Sequence, residues 1–412
     1  MNDLINLAWV ALCTALVFFM QAGFALVEGG FARAKNSINV IMKIYLGTCF
    51  IGLSFWLVGY GLAFGSSAGG LYGVSGFMPL QLESMPAVSL LYQMMFCTTA
   101  VTIVSGAVAE RMRYGAYLTF AVVMALVIYP VYAHWAWNPD GWLKQMGFID
   151  FAGDGAVHSV GAWCSLAGLL VVGPRLGRYS KQGEVRDIPG HNLPMVALGG
   201  FILWLGWFGF NGGSVSGLDS ANLGIVLLNT YLGACAGGLG ALAFMKLGGK
   251  PVLMSASING SLCGLVSITG GAGTMNPATA VIAGAVGGML CTWGAEKIRQ
   301  WRVDDAVDAI AVHGIGGVWG LIAAGLFYEG DLFNLQRVVV QLIGAGAAFL
   351  WAFPTAWAAF KLIDRLVGLR APTLNEQRGL DHTEHHEIAY PEFQDSPGQL
   401  SMGGRMEARD VA

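Results

Sequence analysis

Charge is what this sequence has least of. Only 11% of its 412 residues are Asp, Glu, Lys or Arg, against about 25% in an ordinary soluble domain. That scarcity excludes a soluble globular protein. Proline is sparse as well, 13 residues beside 60 glycines, which excludes a collagen-like or disordered chain. The seven cysteines stand singly in apolar runs with no CxxC pair, so they read as small packing residues, not as disulfides or metal ligands. A net charge of -3 without a basic patch gives no ground for nucleic-acid binding. The start, Met1 to Leu4, holds Asp3 and no basic n-region, so no cleavable signal peptide is expected. No activated nucleophile or metal dyad falls in the apolar runs, so neither an enzyme nor a bound cofactor is expected.

What is there in abundance is apolar length. Hydrophobic residues make up 55% and mean hydropathy is +0.59. Runs of about 20 residues, enough to cross about 30 Å of hydrocarbon, recur about eleven times between short polar breaks, centred from Leu16 to Phe349. The abundant glycine suits close helix packing, with Gly233/Gly237, Gly284/Gly288 and Gly316/Gly320 each one turn apart. The fold class expected is an all-α polytopic membrane protein with eleven transmembrane helices. Basic residues fall on alternate loops: Arg33/Lys35/Lys43, Arg111/Arg113, Arg175/Arg178/Lys181/Arg186, Lys246/Lys250, Lys297/Arg299/Arg302 and Lys361/Arg365/Arg370. The positive-inside rule then sets the N-terminus outside and the C-terminus in the cytoplasm.

Two segments repeat. Val157-His158-Ser159-Val160-Gly161 parallels Val312-His313-Gly314-Ile315-Gly316, each with a leucine five further on and an aspartate before it, Asp150 and Asp308. Five spans separate the histidines. An odd number makes the matching helices antiparallel, the mark of an inverted five-plus-five repeat with an extra C-terminal helix. His158, eight residues past Asp150, lies about 12 Å along a helix, so a two-fold axis in the membrane plane can bring both imidazoles together near its middle. A duplicated intramembrane pair of this kind points to function more than to separate structural ties.

Aromatic clusters flank His158 in sequence: Gly206-Trp207-Phe208-Gly209-Phe210-Asn211-Gly212-Gly213-Ser214 and His134-Trp135-Ala136-Trp137. An interfacial aromatic belt explains them as a class. A cage of π faces with a hydroxyl acceptor, suited to a small cation, is the functional alternative.

With these residues in place, the chain resembles the Amt/Mep/Rh ammonium transporter family, and more closely its bacterial Amt branch. The matching stretches are FMQAGFALVEGGFARAKN (Phe19 to Asn36), AVAERMRY (Ala107 to Tyr114), DFAGDGAVH (Asp150 to His158), HNLPM (His191 to Met195), GWFGFNGGS (Gly206 to Ser214), VDDAVDAIAVHGIGG (Val303 to Gly317) and GLDHTEHHEIAY (Gly379 to Tyr390). The resemblance implies a homotrimer in the cell inner membrane with one pore per subunit, taking up ammonium and its analogue methylammonium. It implies an external ammonium site of Phe96, Trp137 and Ser214 with Asp150 the nearby acid, a gate of Phe96 and Phe210 with Gln93 close by, and a pore pair of His158 and His313. Ammonium would be captured as the cation and passed as ammonia with proton transfer, because a bare ion in an apolar pore is costly. Three departures stand out. Tyr92 replaces a common Phe beside the gate, Asp154 replaces a commoner small or hydroxyl residue and makes a more acidic external site the expectation, and His386 replaces the usual Gly of the tail.

The chain divides into a transmembrane domain, 1–370, and a polar cytoplasmic tail, 371–412, whose last stretch, Gln394 to Ala412, matches no motif. HTEHHE, with His382, His385 and His386, lacks the HExxH spacing of zinc hydrolases, so no metal is expected there. The resemblance implies that the tail docks on the cytoplasmic face and answers to a PII-type signal protein. Some members of the family act as sensors instead. No signalling module follows the tail in this sequence, and transport is the expectation.

Overall fold

The computed structural model describes residues 2–215 and 222–393; the stretch from Gln394 on lies outside the described residues. Long helices follow one another in chain order: α1 Asp3–Phe31, α2 Ala34–Phe64, α3 Ser84–Ala107, α4 Tyr114–Gln145, α5 Asp154–Val172, α6 Leu193–Val215, α7 Leu223–Leu247, α8 Met254–Thr269, α9 Pro277–Gln300, α10 Ile310–Leu326 and α11 Leu335–Val367. Among the described residues, nine of these are long and apolar enough to cross a membrane. The other two are shorter: α10 is apolar, and α8 has 16 residues. The protein is thus a multi-pass helical membrane protein, as its hydropathy requires.

Local sequence sets where several helices begin and end. Asn192, Asn276 and Asn334 each accept a hydrogen bond from the backbone N–H three residues on, capping α6, α9 and α11. Proline in the first turn of α6 and α9 costs nothing there, because those amides have no helical partner. Packing then relies on missing side chains. A Cβ added at Gly284 would lie 2.4 Å from the Gly233 carbonyl, and one at Gly264 only 2.3 Å from that same oxygen. Helices α7, α8 and α9 therefore meet backbone to backbone.

The basic loops converge on one face, where the polar tail also packs. Arg175 forks between two carboxylates: Nη1 donates to Glu110 Oε1 at 2.7 Å, while Nε and Nη2 reach the Asp304 oxygens at 2.9 Å. Arg33 pairs with the same Glu110. Glu110 and Asp304 are buried, which alone raises a carboxyl pKa, yet the bound guanidinium groups hold both below the ordinary range. From the tail, Asp381 accepts the Ile38 and Asn39 amides at the start of α2. Glu384 accepts the Tyr114 amide, and Glu376 accepts the Leu176 amide and pairs with Arg370.

His386 occupies the left-handed region at φ 55°, where glycine is unstrained and histidine is not. The tail keeps its turn in spite of this residue. His386→Gly is expected to raise tail stability by about 1 kcal/mol, read as slower proteolysis of the tail; faster cleavage would contradict it.

Candidate functional site

The site is a column between helices, and it begins with spacing along α3. Tyr92 and Phe96, four residues apart, share one helix face with ring centroids 4.7 Å apart. They line a cavity of about 180 Å³ on the face away from the tail, together with Gln93, Trp137, Phe151 and Ser214. Trp137, Ser214 and Tyr92 are each held there by a hydrogen bond. The Trp137 indole N–H donates to the Asp150 carbonyl at 2.7 Å, leaving its ring face for packing. The Ser214 hydroxyl donates to the Phe210 carbonyl at 2.9 Å, so its lone pairs remain free to accept. The Tyr92 hydroxyl lies 2.7 Å from the same carbonyl and 3.4 Å from Ser214 Oγ, pinning the end of α6 to α3.

The floor of the cavity is closed by two rings. Phe96 and Phe210 stack at 4.1 Å with 25° between planes, and both are buried. Directly beyond, His158 stacks on Phe210 at 5.6 Å and on Trp207 at 5.4 Å. Its Nδ1 lies 3.2 Å from Nδ1 of His313. One Nδ1 must donate and the other accept, so the tautomers are fixed in opposition: one Nε2 carries a proton and the other is a free acceptor. Neutral imidazoles so paired offer a donor and an acceptor to a small polar guest. On the far side of His313 a second cavity of about 30 Å³ opens, lined by Leu203, Trp207, Val312, Asn259 and Glu28.

Both histidines sit in wide π-helical turns, Asp154–Ser159 and Ile310–Ile315, at the starts of α5 and α10. Each turn is held by a carboxylate eight residues before its histidine. Asp150 accepts the amides of Gly153, Gly155 and Ala156, and Asp305 accepts those of Val307 and Ile310. Burial pushes both acids up to about 6, helped at Asp305 by the Asp308 charge and opposed by these amides. One expectation is corrected here. Asp305, not Asp308, is the counterpart of Asp150. Asp308 instead matches Gly153, five residues before its histidine and likewise at positive φ, 60° against 113°. Asp150 is itself buried and outside the cavity lining; its carboxylate bonds the π turn, and its backbone carbonyl holds Trp137.

Asp154 is also corrected. It is fully buried and accepts the Gly270 amide at 2.7 Å, in a notch where a Cβ on Gly320 would collide with its carboxylate. It does not line the external cavity. Gln93 does, beside Phe96 as expected. Two members of the column carried no assigned role in the sequence. Trp207 was hidden among belt-like aromatics, whereas Glu28, an acid inside an apolar run, carried a signal that could have been followed. Among the described residues no group of three or more His, Cys, Asp or Glu could hold a metal ion.

A sequence profile described as the Ammonium Transporter Family matches residues 8–390. The ammonium transporter Amt2 of Archaeoglobus fulgidus is 40% identical over 94% of this chain and 89% of its own length. The ammonium transporter of Bacillus subtilis is 35% identical over 92% of this chain and 96% of its own. Among solved structures, one titled "Sensor Amt Protein" superposes with a TM-score of 0.89 at 37% identity, covering 92% of this chain and 98% of that one.

Proposed function

The chain belongs to the ammonium transporter family, and on that footing we propose that the column is its conduction path, taking ammonium in at the aromatic cavity and passing ammonia between the histidines. It is a membrane transporter protein and not an enzyme. The observation that carries the proposal is the unbroken order of parts: cavity, stacked Phe96/Phe210, bonded His158/His313, then a cavity about one water in volume.

Capture is of the cation. Phe96 and Trp137 supply π faces worth about 0.5–2 kcal/mol, and Ser214 Oγ accepts an N–H bond. Potassium has ammonium's size but can neither donate that bond nor shed a proton. Passage past the phenyl pair strips the remaining water, which favours the neutral molecule. The free imidazole acceptor then takes a proton or an N–H bond, and its partner's N–H stabilises the ammonia lone pair.

The assembly proposed with this mechanism has eleven spans, with α8 and α10 completing the nine longer ones. Helices α1–α5 and α6–α10 form an inverted repeat, supported by the matched acid, positive-φ residue and histidine of the two π turns. The N-terminus lies outside. The tail face, where the arginines gather, is cytoplasmic, and the chain is a homotrimer in the inner membrane. The tail from residue 371 is the regulatory domain, and its docked carboxylates offer a surface to a PII-type protein. Likeness to the structure titled as a sensor supports a second reading, in which the same bundle reports ammonium.

Methylammonium uptake into proteoliposomes tests the capture site. Ser214→Ala is expected to raise the half-saturating concentration about tenfold, the loss of one charge-assisted hydrogen bond. An unchanged value would remove Ser214 from the site, and no uptake by the native protein would favour the sensor.

A further inference from the structure

We propose that Glu28 is the proton acceptor of the pore on its cytoplasmic side, taking the proton from the histidine pair through one water and returning it to ammonia at the exit. The proposal rests on the transport reading above.

Glu28 lies in the last turns of α1 and is 2% exposed. It lines the same small cavity as His313, whose volume of about 30 Å³ is that of one water molecule. A water placed there has His313, Glu28 and Asn259 as polar partners, the number a buried water needs. The acid is built in with care. Its Oε2 accepts the Ser105 hydroxyl at 2.5 Å, and a Cβ on Gly106 would come within 2.8 Å of its carboxyl carbon. The charged groups facing it are Lys43 of α2 and Asp305 before α10, and the Lys43 ammonium is already engaged with the Met112 carbonyl.

A structural role alone leaves this choice of residue unexplained. Two turns earlier on α1, Gln21 ties the helix to α3 through Thr102 at 2.9 Å. A neutral amide therefore suffices for the tie. An acid at position 28 adds the capacity to bind and release a proton, in a cavity one water away from an imidazole.

The steps balance. An ammonium N–H bond breaks, leaving the electron pair on ammonia, and the proton joins the free imidazole Nε2. The imidazolium yields a proton to the cavity water, which passes one to the Glu28 carboxylate as an O–H bond forms. Ammonia crosses the apolar segment and takes the proton from Glu28 at the tail face. Carboxylate and ammonium are restored, and one positive charge has moved.

The test is the ammonium-evoked current of full-length protein in proteoliposomes. Glu28→Gln keeps shape and the Ser105 contact but cannot accept a proton, and it is expected to lower the current about tenfold or more. Glu28→Asp keeps an acid one methylene shorter and is expected to stay within about threefold of native, with a larger slowing in D2O. A Glu28→Gln current within about twofold of native overturns the proposal. So does a Glu28→Asp current as weak as that of Glu28→Gln, which would assign the role to side-chain shape. If Glu28→Gln does not assemble, Glu28→Asp decides alone, and a current and D2O effect both equal to native overturn the proposal. A native protein that passes no ammonium-evoked current defeats the transport reading itself, a separable result.

Discussion

Replacing both His158 and His313 with alanine is expected to lower the ammonium-evoked current through reconstituted protein about 100-fold, the range of a lost acid-base pair. The two Nδ1 atoms lie 3.2 Å apart and His158 stacks on both Phe210 and Trp207, so the double variant removes both the acceptor and the donor. The aromatic gate stays in place. What remains is an apolar passage in which neither an ammonium proton nor an ammonia lone pair finds a partner. A single substitution leaves one imidazole with an unpartnered Nδ1 in a buried position, at a cost of about 1–3 kcal/mol to stability as well. The double variant is therefore the cleaner comparison. Melting of the purified double variant close to native, together with the lost current, separates conduction from folding. A current within about twofold of native would remove the pair from the mechanism.

The largest expected change in stability lies at the other end of the molecule. Arg175→Met is expected to destabilise the protein by about 3–5 kcal/mol, because the buried Glu110 and Asp304 lose the guanidinium that forks between them and keep only Arg33 and Arg178. Lysine should not rescue, since a point charge cannot fork between two carboxylates. The pH dependence has a defined sign. Both carboxyls have folded pKa values below their unfolded values of about 4. Their contribution is present above that pH and is lost as pH falls through the lowered folded values. Thermal melting in detergent should show the gap between native and Arg175→Met narrowing as the medium is made acidic. A gap that widens on acidification, or a variant as stable as native at neutral pH, would contradict the role given to this network.

Much of this architecture is legible in the sequence. Hydropathy alone placed the long helices, because a bilayer demands length and apolarity and little else. The loop arginines announced the face on which they meet. The histidine pair showed through a five-residue similarity, because the intramembrane setting makes such residues rare. What stayed hidden depended on geometry that local pattern does not encode. Asp308 stood closer to His313 than Asp305 did, and only the π turn reveals that the acid eight residues back does the capping while residue 308 supplies a positive φ. Asp154 looked like an addition to the mouth because sequence neighbours share a loop. A wide helical turn instead points it toward Gly270 and Gly320. Glu28 sat within an apolar run among family-matching residues. Its meaning depended on a cavity shared with α10, far away in sequence.

The most direct test is the current evoked by a concentration jump in proteoliposomes holding the native chain, with ammonium and potassium compared at equal concentration. Ammonium should give a saturable current and potassium none, because only ammonium can donate a hydrogen bond to Ser214 and surrender a proton to the histidines. Equal currents for the two cations would mean that size and charge alone decide passage, and the stacked gate and imidazole pair would not be the conduction path.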